Sequence, residues 1–279
     1  MLAIDTHAHL FSENEKKYPP RSDPSRPPTG TGTINHLQRE MKTAGVTAVC
    51  AVQVSGFYRF DNRYILDSSK ANPDWIAGVI TLDPENGQSP RMLEKYARQY
   101  GIRGMRSVAT SDGRLEHQGV RALWRSAADN GIVVNLLIKR ELADQAERLA
   151  REFPNLQLVI DHCLGLQYES NVTETLEALK RLSERPNIHA KVSSIANGPD
   201  GCSDGFPCQM FHPVIADVIR TFGSDRCVWG AHFPLEKYAP ALTYEQHLKI
   251  YTEALPLSAD DRALIVGGTA NRLWFDGRL

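Results

Sequence analysis

His7 and His9 stand two apart in the apolar run Ala3 to Leu10 (AIDTHAHL), with Asp5 two residues before them. Side chains two apart on a strand point to the same side, so the spacing predicts three ionisable groups on one face. Burying such groups without partners is costly, which argues for a site; the plainer alternative is a pair of polar residues at a strand end. His162 closes a second apolar run (VIDHCLG) and His232 a third (WGAHFP). Three imidazoles converging from His7, His9 and His162 suit zinc or a similar divalent ion. They could equally bind and polarise a carbonyl without metal. Val228, Gly230 and His232 share a face, and Gly230 and Pro234 frame a tight strand end that would bring His232 beside the first strand.

Charged groups inside other apolar runs are the next candidates. Arg103 and Arg106 flank one run (IRGMR), Lys191 lies within another (IHAKVSSI), and Asn135 within a third (IVVNLLI). A charged side chain on a buried strand must reach a rim or a partner, and arginine grips carboxylates with two parallel hydrogen bonds. Rim salt bridges are the competing reading for each. Ser55 and Tyr58 follow the second run and could form a substrate wall with Phe57 and Arg59. Trp124, at helix spacing, reads as core.

These residues need elements to hold them. Eight β-branched, apolar runs recur along the chain: Ala3 to Leu10, Ala48 to Ser55, Trp75 to Asp83, Gly101 to Val108, Ile132 to Ile138, Leu156 to Leu164, Ile188 to Ile195 and Cys227 to Pro234. Their starts are spaced at roughly 30 residues, the size of one βα unit. Amphipathic stripes fill the gaps, such as Ile34, Leu37, Met41 and Ala44, or Val120, Leu123, Trp124 and Ala127. Ser89-Pro90 reads as an N-cap followed by proline at the first helical position. Two longer helices are expected over Tyr244 to Leu255 and Ser258 to Trp274. Eight strands alternating with helices in one chain of 279 residues point to a single (β/α)8 TIM barrel spanning 1–279. A doubly wound open sheet is the alternative, but it would carry a Gly-rich phosphate turn where this chain has His-Ala-His. Active sites of such barrels sit at the C-terminal ends of the strands. The Pro- and Gly-rich segment from Lys16 to Thr33 is too long for a plain connection and is expected to fold over that mouth. The stretch from Asn197 to Cys208 is similar in character.

Composition excludes several functions. With 32 Lys+Arg against 33 Asp+Glu, the net charge of -1 gives no electrostatic case for nucleic acid or an anionic membrane surface. No apolar run approaches the ~18 residues of a membrane span. The start MLAIDTHAHLF lacks the basic and apolar regions of a secretory leader, so a cytoplasmic location is expected. Five scattered cysteines, without a CxxC, disfavour a disulfide framework or zinc ribbon. Cys202 and Cys208 are near enough to pair, but a cytosolic setting argues for free thiols.

In order along the chain, DTHAHLF, VQVSGFYRFDNRYILD, GVITLDP, IRGMR, VIDHCLG, HAKVSS, WGAHFP and TANRLWF resemble the amidohydrolase superfamily. The closest branch is the amidohydrolase 2 group, which includes pyrone-dicarboxylate lactonase, sugar lactonases and amino-carboxymuconate-semialdehyde decarboxylase. The resemblance runs nearly end to end. It implies a barrel with His7, His9 and His162 at the site, holding one divalent cation, commonly zinc, in metal-dependent members. The pyrone lactonase type needs no metal. Arg103, Arg106, Ser55 and Tyr58 resemble positions that hold a dicarboxylate in lactonase-like members. One departure stands out: the family ends its eighth strand in Gly-Ser/Thr-Asp-Trp-Pro, whereas this chain reads Gly230-Ala231-His232-Phe233-Pro234. The position of the acidic base is His232, which can accept a proton or ligate metal but brings no negative charge. The fourth strand lacks a lysine that could be carbamylated, so a binuclear centre is not implied.

The expected function is hydrolysis of a lactone or related cyclic ester, often a carboxylated one. His7, His9 and His162, with or without one metal ion, would polarise the carbonyl and stabilise the oxyanion, His232 would activate water, His232 and His162 would be the catalytic pair, and Arg103, Arg106, Lys191, Ser55, Tyr58 and Asn135 would bind the substrate. A decarboxylase on the same fold, and a binding protein that has lost the chemistry through His232, are the alternatives. The expected partner is a small anionic substrate, with the protein acting as a monomer or homodimer.

Overall fold

The computed structural model describes residues 1–168, 172–193, 202 and 204–279. Eight strands form one parallel sheet in chain order: β1 (Ile4–His9), β2 (Ala48–Val52), β3 (Ile76–Thr81), β4 (Gly104–Ser107), β5 (Val133–Leu136), β6 (Leu158–Ile160), β7 (Ile188–Ser193) and β8 (Cys227–Gly230). Just beyond β8, Phe233 joins β1: His9 N donates to Phe233 O at 2.9 Å, and Phe233 N donates to His7 O at 3.1 Å. The sheet thereby curls into a (β/α)8 TIM barrel. Every strand is buried along its length, as expected when helices cover a parallel sheet.

Strand alternation divides the apolar residues into two layers. Ile4, Ala48, Cys50, Val52, Val79, Val133, Val159 and Val228 face inward and pack with Trp274 and Phe275. Their neighbours Val49, Ala51, Ile80, Met105, Val134 and Ile160 pack outward against the helices. Those helices are α1 (Ile34–Ala44), α2 (Ser55–Tyr58), α3 (Arg63–Ala71), α4 (Ser89–Tyr100), α5 (Gln118–Asp129), α6 (Ala143–Glu152), α7 (Val172–Ser183), α8 (His212–Phe222), α9 (Leu235–Tyr238), α10 (Tyr244–Lys249), α11 (Ala259–Ala263) and α12 (Thr269–Trp274). Thr33 caps α1 by accepting from His36 N. Ser89 is one residue inside α4 rather than its cap, because its hydroxyl donates to Asp83 O at 2.6 Å. The two long helices expected near the C-terminus are interrupted by π-turns over Ile250–Ala254 and Leu264–Gly268. At the second, a Cβ on Gly267 would lie 2.3 Å from Leu2 O, so only glycine lets the turn approach the start of the chain.

The segment after β1 crosses the rim. Arg21 N donates to Phe57 O, Ser25 N to Gly56 O, and Lys237 Nζ of α9 to Ser25 Oγ and Arg26 O. It therefore spans from the loop after β2 to the helix after β8, over an aromatic cluster of Phe11, Tyr18, Phe57 and Tyr58. Cys202 and Cys208 form a disulfide; they lie six residues apart with a turn between them, against the expectation of free thiols. Residues 194–201 and 203 of the similar stretch after β7 lie outside the described residues.

Candidate active site

The mouth of the barrel is built from residues of β1, β4, β5 and β7 and from the chain just after β6 and β8. His7 and His9 are there, but Asp5 is not with them. The pairing of β1 with β2 slips between Asp5 and Ala8, a bulge that breaks the simple alternation. Asp5 turns to the outer helices: Oδ2 accepts from Tyr244 Oη at 2.9 Å, and Oδ1 accepts from the N–H groups of His7 and Ala231, each at 2.8 Å. It pins β1, the end of β8 and α10 together. Burial pushes its carboxyl pKa up while these donors pull it down. Gly230 lets β8 approach closely, since a Cβ there would be 2.9 Å from His7 Cβ.

Asp161 is the hub on the opposite side. It follows β6 directly and accepts from Arg106 Nε at 3.1 Å (β4), Asn135 Nδ2 at 3.1 Å (β5) and Lys191 Nζ at 2.8 Å (β7). Asp161 and Lys191 are fully shielded from solvent. Burial alone would raise the carboxyl pKa, but the Lys191 ammonium and the Arg106 guanidinium outweigh it and hold Asp161 well below the usual carboxylate range. Lys191 also donates to Thr6 O at 2.9 Å. Spacing alone did not single out Asp161; the signal available was an acid placed directly before His162 at the end of an apolar strand.

Four imidazoles meet over this hub. Ring centroids are 4.3 Å apart for His7 and His162, 4.8 Å for His7 and His232, and 4.6 Å for His162 and His232. His9 lies 4.9 Å from His7 and 5.3 Å from His232. Two of the rings sit on strained backbone. His162 has φ 55° and opens a run of positive φ through Cys163, Leu164 and Gly165, and His232 has φ 62°. A non-glycine residue in this region costs about 1–2 kcal/mol, and such strain persists where surrounding structure dictates it, characteristically at functional sites. The run turns the chain sharply at the end of β6, so that His162 reaches the mouth beside Ser193 Oγ, 3.0 Å from its Nδ1. His232 is stacked face to face on Tyr238 of α9, with centroids 3.9 Å apart and planes within 10°; Tyr238 carried no signal at the sequence level.

All four rings are neutral near pH 7. Burial is the main cause, with nearby positive charge adding to it. It lowers His9 and His162 to about 3, and takes His7 and His232 well below their ordinary value. His9 Nδ1 lies 2.8 Å from Val52 O. A carbonyl can only accept, so Nδ1 carries the proton and Nε2 presents a lone pair. His162 and His232 each keep 8% exposure and Arg106 keeps 4%, so this floor is reached from the mouth.

The remaining candidates separate. Arg106, Asn135 and Lys191 belong to the hub. Arg103 precedes β4 at its N-terminal end, pairs with Asp276, and borders a cavity of about 440 Å³ with Ile76 and Trp274 at the opposite end of the barrel. Position along the strand, three residues below Arg106, removes it from the mouth. Tyr58 Oη accepts from Ser12 N at 2.8 Å, and Ser55 Oγ donates to Gln53 Oε1 at 3.0 Å. Both shape the loop after β2 beneath the rim-crossing segment.

Ligand atoms of His7, His162 and His232 lie within 4.8 Å of one another. Three neutral imidazoles are a donor set of the type that suits zinc, but Arg106 Nη2 already lies 3.0 Å from His7 Nε2. This group takes in His232 and leaves His9 beside it, whereas the sequence spacing grouped His9 with His7 and His162.

Known proteins resemble this chain in sequence and fold over nearly its whole length. L-fucono-1,5-lactonase of Burkholderia ambifaria is 24% identical over 277 residues, covering 96% of this chain and 93% of that protein. The crystal structure of a putative 2-pyrone-4,6-dicarboxylic acid hydrolase from Pseudomonas putida superposes with a TM-score of 0.77 at 25% identity, covering 100% of this chain and 98% of the other. A zinc-bound amidohydrolase from Burkholderia multivorans shares the fold with a TM-score of 0.76 at 20% identity, covering 99% of each chain. The Amidohydrolase family model matches residues 4–275, and this chain belongs to that family.

Proposed function

We propose that this enzyme hydrolyses a lactone, opening a cyclic ester with water. The observation that carries the reading is the convergence of His7, His162 and His232 with Arg106 on one partly open floor at the barrel mouth. The lactone and pyrone hydrolases among the similar proteins support it. The substrate carbonyl would lie over this floor, with Arg106 directing N–H groups at the oxygen that becomes negative. His232, neutral over the working range, would accept a proton from water as its oxygen bonds to the carbonyl carbon. When the ring C–O bond breaks, the same proton passes to the departing alkoxide. Burial makes His232 a weak base in the free site, but the negative charge developing beside it favours the imidazolium. His162, held by Ser193, would orient the water or the alkoxide.

Charge limits the substrate. Arg106 and Lys191 against Asp161 leave one net positive charge in the hub, and Arg103 lies at the far end. The floor therefore accommodates one carboxylate better than two. No helix among the described residues is long and apolar enough to cross a membrane. A cytoplasmic setting remains our reading. Turnover of a panel of sugar lactones and carboxylated pyrones by the native protein and His232→Ala tests the proposal. Wild-type rates in the variant would remove His232 from it.

A further inference from the structure

His7, at the centre of the proposed site, has its acceptor engaged. Arg106 Nη2 lies 3.0 Å from His7 Nε2. A guanidinium has donors only, so the ring nitrogen must accept, and a neutral imidazole has one lone pair. Nδ1 therefore carries the proton. It faces Asp161 Oδ1 at 3.9 Å; Lys191 Nζ, 3.5 Å away, competes for this nitrogen less well than Arg106 does for Nε2 at 3.0 Å, and two of its three protons go to Thr6 O and Asp161. A cation bound by His7, His162 and His232 needs the lone pair that Arg106 occupies. It would also stand beside two buried positive groups with one carboxylate to offset them. Nor does Arg106 swing aside at no cost, because its Nε is held by Asp161 Oδ2 at 3.1 Å.

We propose that Arg106 sets the metal requirement of this site: its guanidinium and a divalent cation compete for His7 Nε2, and the native chain favours the guanidinium. Arg106 then takes the electrophile's place over the floor. The inference deepens the lactonase reading by naming its electrophile. Its test reads metal binding and not turnover, so the two can fail separately.

The experiment is calorimetric titration of zinc into metal-stripped native protein, Arg106→Met, and Arg106→Met combined with His162→Ala. Arg106→Met is expected to bind one zinc at least about ten-fold more tightly than the native chain, the scale on which groups next to metal ligands change affinity. The double variant is expected to lose that gain. Zinc bound by the native chain as tightly as by Arg106→Met overturns the proposal. If Arg106→Met does not fold, nitrogen NMR of imidazole-labelled native protein decides. The proposal requires an unprotonated Nε2 on His7 whose resonance is unmoved by equimolar zinc. A proton on Nε2, or a zinc-induced shift there, refutes it.

Discussion

Asp161→Asn tests the hub on which the site stands. The substitution keeps the shape of the side chain and removes its charge. Lys191 would then lie fully buried 2.8 Å from a neutral oxygen, and Arg106 would lose its only carboxylate among the described residues. Breaking a buried pair by removing one partner costs about 3–5 kcal/mol, because the other charge stays buried and uncompensated. For a chain of this size each kcal/mol moves the melting temperature by about 2–4 °C, so a fall of about 10 °C is expected. A double-mutant cycle with Lys191→Met separates this from lost packing. Lys191→Met alone leaves Asp161 its Arg106 partner and should cost less. Adding Lys191→Met to Asp161→Asn should recover stability, with a coupling of about 1–3 kcal/mol. Denaturant unfolding and thermal melts provide the measurement. A loss below about 1 kcal/mol for Asp161→Asn, or additive effects in the cycle, would refute the view of Asp161 as the counter-charge of the barrel.

Two further outcomes are expected. His189 and His247 are held neutral, their pKa lowered by burial to about 4 in each case, and His247 Nδ1 accepts from Trp229 Nε1 at 3.1 Å. The unfolded chain takes up their protons near pH 6.5 and the folded chain does not. Their stabilising contribution is thus complete above about pH 6.5 and is lost as pH falls toward about 4. Each should remove about 1.4 kcal/mol per pH unit in that window; His247→Gln should lower the slope by that amount, and an unchanged slope would contradict the assignment. Arg103→Ala should leave turnover within about two-fold and stability within about 1 kcal/mol, since its pair with Asp276 is part-exposed and far from the mouth. A large loss of activity would return Arg103 to the substrate site.

The barrel was legible because its signal repeats. Eight apolar runs at βα spacing each carry the same periodicity, and an error of a few residues in one does not disturb the others. The histidines were legible because polar residues at the ends of buried strands need partners. The bulge in β1 that turns Asp5 toward Tyr244 has no composition signal, so alternation placed Asp5 with His7 and His9. Arg103 and Arg106 look equivalent in IRGMR, yet three residues along one strand put them at opposite ends of the barrel. Asp161 was hidden because its value lies in contacts from β4, β5 and β7 that are distant in sequence. Tyr238 lies only six residues after His232, but the left-handed backbone at His232 that lets the chain fold back on it has no composition signal. Pairing of Cys202 with Cys208 was argued down from compartment, whereas local turn geometry brings the two together.

The central claim is water addition to a cyclic ester with His232 receiving the proton. The most direct measurement is mass analysis of the product formed from a lactone panel by native protein and by His232→Ala in parallel. The account predicts a product heavier than substrate by one water, no carbon dioxide, and a rate that falls at least about a hundred-fold in the variant, the scale of a lost general base. Release of carbon dioxide, or equal rates in the two proteins, would contradict it.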